Sequence, residues 1–116
     1  MQRVEQEIAR LIKEIDYDEV THLFSMLSGG KRLRAKLILK IASSDDRAPL
    51  LAAIVELIHG ASLLHDDVID ESHTRRCVAS VNATEGSKTA VMLGDILYSK
   101  AFSELVSFDR DIAKVV

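Results

Sequence analysis

Residues 46–71 form the longest apolar stretch of the chain and constrain the fold more than any other segment. Leu50, Ile54, Val55, Leu57, Ile58, Leu63 and Leu64 fall on nearly every side of a helix drawn through them. A helix that is apolar all round belongs at the centre of a protein, with other elements wrapped about it. Its polar residues then become informative, because a buried polar group must find a partner or serve a ligand. The rest of the chain supplies helices to wrap it. One proline and five glycines in 116 residues leave little punctuation. The expected fold is all-α: a helical bundle.

Residues 2–15 carry Val4, Ile8, Leu11, Ile12 and Ile15 at helical spacing among charges, which predicts an amphipathic helix. A shorter helix is expected over residues 17–27, stopped by Ser28-Gly29-Gly30. A third follows over residues 31–42, with Leu33, Leu37, Ile38 and Ile41 facing the core. Arg32, Lys36 and Lys40 would then face solvent, and Lys31 and Arg34 would share a separate edge. Ser43-Ser44-Asp45-Asp46 has N-cap chemistry, and Pro49 suits the first turn of the central helix. Residues 72–87 read as a loop. Residues 88–106 read as a fifth helix with a buried Gly94-Asp95, and residues 108–116 as the opening of a sixth. The sixth lacks a stop signal, so the chain is expected to be the N-terminal piece of something longer, residues 1–116 forming part of a single helical domain.

Charge and composition narrow the function. A net charge of −3 argues against a nucleic-acid partner, and an aromatic content of 4% without tryptophan argues against base-stacking platforms. The single cysteine, Cys77, excludes an internal disulfide framework and suits a reducing cytoplasm. The charged N-terminus has no apolar core of a signal peptide. No run reaches the roughly 18 uncharged apolar residues of a stable membrane span.

The chemistry is concentrated in four places. Asp66-Asp67-Val68-Ile69-Asp70 closes the central helix. Asp66 and Asp70 lie about 40° apart on one helical face, with Asp67 on its flank. Three carboxylates on an apolar helix repel one another and call for a cation. Hard oxygen donors without cysteine or a histidine pair suit Mg²⁺, which completes its shell with water and substrate phosphate. The plainer alternative is a solvated acidic helix end. His59 precedes Asp66 by seven residues and is about 20° away around the helix. It is either a ligand contact or a satisfied core histidine. Arg75-Arg76 follow the acidic cluster, and paired guanidinium forks suit a diphosphate or else neutralise the carboxylates. Gly29-Gly30-Lys31-Arg32-Leu33-Arg34 puts a basic first turn after two glycines, an arrangement that makes electrostatic sense if an anion docks there. These residues describe two phosphate-rich ligands, one held through metal and one directly.

In this order and spacing the residues resemble the trans-isoprenyl diphosphate (polyprenyl) synthases, of the medium- or long-chain kind. Gly29-Gly30-Lys31-Arg32-Leu33-Arg34 resembles that family's GGKR[LI]RP segment, and Leu63-Leu64-His65-Asp66-Asp67-Val68-Ile69-Asp70 its first DDxxD helix. Arg75-Arg76 match the arginine pair that follows, and Ala90-Val91-Met92-Leu93-Gly94-Asp95-Ile96-Leu97 the next helix. The resemblance implies a bundle around a deep cavity, a homodimer joined near residues 88–106, and head-to-tail condensation of isopentenyl diphosphate with an allylic prenyl diphosphate. Asp66, Asp67 and Asp70 would hold Mg²⁺ and act in catalysis. Arg75 would contact the allylic diphosphate, and Lys31, Arg34, His59 and Arg76 the isopentenyl diphosphate. Ala61 and Ser62 stand where short-chain members carry bulky aromatics, which implies a longer product.

Three positions depart from the family pattern. Ala35 and Ala79 stand where proline is expected, and Cys77 where glycine is expected. The second aspartate-rich motif lies beyond these 116 residues in the family, so the piece alone is expected to be inactive. Three other readings remain open. They are a non-catalytic or regulatory subunit of a heteromeric synthase, a class I terpene cyclase, and a helical interaction module with an acidic end. Lys31, Arg34 and His59 argue against a cyclase, which lacks an isopentenyl site.

Overall fold

The computed structural model describes residues 1–27, 31–42, 44–71, 74–75 and 78–108. Its centre is α4, Ala48–Ile69, with Pro49 in the first turn where a missing N–H costs nothing. Ala52, Ala53, Leu57, Ala61 and Leu64 form the most deeply buried stripe of α4. Three of the five are alanines, which allows neighbouring helices to come close. By length and composition α4 could cross a membrane, yet half of it is buried inside the fold, as in the core helix of a bundle.

α1, Gln2–Ile15, lays Val4, Ile8, Leu11 and Ile12 against this core at the spacing its sequence predicts. It ends at Asp16, whose φ of 57° turns the chain and whose N–H donates to Lys13 O. α2, Asp18–Ser25, adds Val20 and Leu23. α3, Leu33–Ile41, and α6, Ser87–Leu105, pack along α4, and the α4–α6 contact is the most extensive in the molecule. Leu93, Leu97, Ala101 and Leu105 form the inward face of α6.

The expected rotation of α3 is wrong. Leu33, Leu37 and Ile41 are exposed at 63%, 59% and 77%, while Ala35 is fully buried and Ile38 and Leu39 are half-buried. The sequence Leu33-Arg34-Ala35-Lys36-Leu37-Ile38-Leu39-Lys40-Ile41 is apolar on several sides, so periodicity alone does not orient it. A polar contact from α4 to the Ala35 N–H does. Arg32 is correspondingly drawn inward rather than left in solvent.

Within the expected loop of residues 72–87, the described residues carry regular structure. Thr74–Arg75 (β1) and Val78–Ala79 (β2) form a two-residue antiparallel pair, with Thr74 opposite Ala79. A short helix, α5, Val81–Glu85, follows; the Ser80 hydroxyl caps it by accepting the Ala83 N–H. A two-residue strand and a five-residue helix are too short to leave a periodic signal. Before α4, Asp45 accepts the Arg47 N–H at 2.9 Å, but the helix itself is capped at Arg47 without a side-chain bond. Gly94 is buried as expected. Asp95 is exposed, because its carboxylate reaches outward past His65. The expected sixth helix falls outside the described residues except for Phe108, which is buried.

Candidate diphosphate site

Two zones of opposite charge lie along α4, the cationic one brought to it by α3. The acidic zone is the C-terminal turn of α4. Asp66 and Asp70 are exposed there, one helical turn apart, and the Asp70 N–H donates to Asp66 O at 2.8 Å. Asp67 is different: it is 5% exposed and turned into the fold, where Asn82 of α5 lies 3.5 Å from its carbonyl. Among the described residues no three carboxylate, histidine or cysteine side chains converge on one point. Asp66 and Asp70 offer hard oxygen donors, the type Mg²⁺ takes one or two at a time with water and phosphate filling the rest of its shell.

The cationic zone lies about 10 Å back along the helix axis, at His59. There α3 begins. Arg34 Nη1 lies 3.2 Å from His59 Nε2. A guanidinium has only donors, so His59 Nε2 accepts and its proton sits on Nδ1. Lys31 and Arg34 are both exposed at this end of α3, so the two charges can face a dissolved anion. The structure thus brings Arg34 and His59 together from positions 25 residues apart, a pairing that helix periodicity does not show. Of the arginine pair, Arg75 lies in β1, whose backbone alone is described, while Arg76 falls outside the described residues, as do Gly29, Gly30 and Cys77.

Ala61 and Ser62 sit between the zones. Ala61 is fully buried, with its carbonyl toward Gly94 of α6; Ser62 is half-buried and its hydroxyl donates to His59 O at 2.7 Å. His65, just before the acidic turn, is clasped by α6: its Nε2 lies 3.3 Å from both Val91 O and Asp95 Oδ1, and its ring tilts against Tyr98.

Sequence reasoning missed Glu56. It is 6% exposed and lies one turn before His59. Its Oε1 accepts the Ala35 N–H at 3.1 Å and its Oε2 lies 3.8 Å from Arg32 Nη1. A signal was available, since a lone carboxylate in an otherwise apolar helix requires a buried partner.

Residues 16–116 match the family model of the polyprenyl synthetases. An all-trans-nonaprenyl-diphosphate synthase (geranyl-diphosphate specific) of Rhodobacter capsulatus is 44% identical over 90 residues, 73% of this chain and 28% of that protein. A short chain isoprenyl diphosphate synthase of Methanocaldococcus jannaschii is 37% identical over 120 residues, 98% of this chain and 36% of that protein. Among solved structures, an octaprenyl pyrophosphate synthase from Helicobacter pylori superposes with a TM-score of 0.91 at 45% identity, covering 97% of this chain and 39% of that one. The chain thus spans about a third of the length of the curated relatives it matches.

Proposed function

The chain belongs to the polyprenyl synthetase family, and from that premise we propose that the protein carrying it is a trans-prenyltransferase that joins isopentenyl diphosphate to an allylic prenyl diphosphate. The observation that supports this most is the pairing of two zones along α4, cationic at Lys31 and Arg34 beside His59 and anionic at Asp66 and Asp70. Two diphosphates can be held side by side by such a pair, one directly and one through a metal.

In this reading Asp66, Asp67 and Asp70 hold Mg²⁺, with Asp66 and Asp70 presented outward and Asp67 set into the fold beside them. When bound, the metal would neutralise the charge that collects on a departing diphosphate. The chain's own residues do the rest. Lys31, Arg34, His59 and Arg76 take the isopentenyl diphosphate, and Arg75 the allylic diphosphate. The apolar flanks of α4 keep water from the carbocation left when the allylic C–O bond breaks. The isopentenyl double bond, held in place, attacks it, and the lost proton passes to the released diphosphate. The protein contributes orientation and charge placement. Small side chains at Ala61 and Ser62 leave room for a medium or long product.

Residues 1–116 form the N-terminal part of one domain in this reading. The protein works in the cytoplasm as a homodimer joined near α6, whose Met92 and Phe102 are exposed apolar residues. Titration of inorganic diphosphate with and without Mg²⁺ tests the site. Binding should require Mg²⁺ for its strongest component. Asp66→Ala should remove that component, and Arg34→Ala should weaken the metal-independent one, by about tenfold for a lost charge-assisted contact. If Asp66→Ala binds as the parent does, the acidic turn is a solvated helix end and the proposal fails.

A further inference from the structure

The chemistry proposed above makes no use of Glu56, yet this carboxylate is 6% exposed in the middle of the core helix. A charge so placed must be held by donors. Both of its oxygens point at the start of α3. Oε1 accepts the N–H of Ala35, the third residue of α3, whose amide the first turn leaves without an intrahelical partner. Oε2 lies 3.8 Å from Nη1 of Arg32, the residue that caps the helix. Arg32 adopts φ 55°, a left-handed backbone that a residue with a side chain holds only when its surroundings impose it. The same guanidinium is tied to Glu5 of α1, with Nε 2.7 Å from Oε1. One turn along α4 from Glu56, His59 takes Arg34. The segment 32–35 is therefore gripped at Arg32, Arg34 and Ala35, and two of the three grips involve Glu56.

We propose that Glu56 is a positioning residue: by pinning Arg32 and the Ala35 N–H it fixes the first turn of α3, so that Lys31 and Arg34 present their charges to the isopentenyl diphosphate in one set geometry. This rests on the reading of the cationic zone given above. The carboxylate touches no substrate. Its effect is preorganisation, since a basic turn that had to find its geometry on binding would lose affinity to ordering. It acts on one substrate and not on the other, which a general contribution to folding would not do.

Steady-state kinetics of the full-length protein, with each diphosphate varied separately, tests this. Glu56→Gln keeps the side-chain volume and an acceptor for Ala35 but faces Arg32 with an uncharged amide. Glu56→Ala removes both contacts. The KM for isopentenyl diphosphate should rise about threefold in Glu56→Gln and about tenfold or more in Glu56→Ala. The KM for the allylic diphosphate should stay within about twofold in both. If both KM values and kcat move together with the thermal midpoint, or if neither KM moves, Glu56 is a core residue only and the proposal is overturned. Should Glu56→Ala fail to fold, Glu56→Gln decides alone by the same criterion. Arg34→Ala is measured in parallel. If it leaves the KM for isopentenyl diphosphate unchanged, the cationic zone itself is misread and the inference goes with it. If Arg34→Ala raises that KM and neither Glu56 variant does, only the positioning role is lost.

Discussion

Gly94 marks a close approach of α4 and α6. A Cβ there would collide with the His65 ring and come 3.3 Å from Ala61 O. The His65 ring could swing away, but only by giving up Val91 O, Asp95 and the edge of Tyr98. Gly94→Ala is therefore expected to lower stability by about 1–3 kcal/mol, read as a shift in the urea midpoint. An unchanged midpoint would mean that the His65 clasp adds nothing. Glu14 makes a second residue-scale case. Lys100 first, and Arg10 second, hold its carboxyl below the ordinary value of 4.5, and Lys100 is in turn held above its ordinary 10.5, chiefly by Glu14. A depressed carboxyl stabilises the fold above its unfolded value, and that stability is lost as pH falls through the folded one. A raised ammonium stabilises below 10.5, and that stability is lost as pH rises through its folded value. Glu14→Gln should flatten both the acid limb below about pH 4.5 and the alkaline limb above about pH 10.5 in a plot of midpoint against pH. Glu14 faces solvent although Lys100 is largely covered, so the change should shrink in part at high salt.

At the scale of the element, α4 joins the stability of the fold to the proposed site. Leu57 is fully buried, one residue after Glu56 and two before His59. Leu57→Ala should cost about 2–5 kcal/mol, by lost transfer energy and the cavity left behind, in a denaturant titration. A loss below about 1 kcal/mol would show that the helices around it close the gap. α3 teaches a different lesson. Its rotation about its own axis is set by a carboxylate on another helix, with Ala35 N–H as the contact. Ala35 stands where the resemblance expects proline, which has no N–H to give; the hydrogen bond to Glu56 is thus open to this chain because of that departure.

At the scale of the whole molecule, large apolar side chains among the described residues face outward, on α3 and along α6 among other places. Leu33, Leu37 and Ile41 line one side of α3, Met92 and Phe102 lie on α6, and Val106 caps its end. Leu33, Leu37 and Ile41 follow one another at single-turn spacing and make a stripe of the kind monomeric proteins rarely leave in water. The 116 residues expressed alone should therefore bind a hydrophobic dye and self-associate in sedimentation velocity. Leu37→Lys with Ile41→Lys should reduce both signals. A dye-silent monomer would show that these side chains are tolerated in water one by one.

Much of this was legible along the chain. The all-α class, the spans of α1, α4 and α6 and the burial of Val4, Ile8 and Leu11 follow from apolar spacing and from the scarcity of breakers, which are local properties. The placing of Asp66 and Asp70 one turn apart follows from helical pitch alone. The rotation of α3, the inward turn of Asp67, the pairing of Arg34 with His59 and the grip of Glu56 on Arg32 and Ala35 do not. Each depends on which residues distant in sequence share a neighbourhood, and a helix apolar on several sides has no local preference to declare. Sequence determined which helices form and where their charges lie. Tertiary packing decided which way α3 turned and which charges met, because a buried carboxylate must find its donors wherever the fold supplies them.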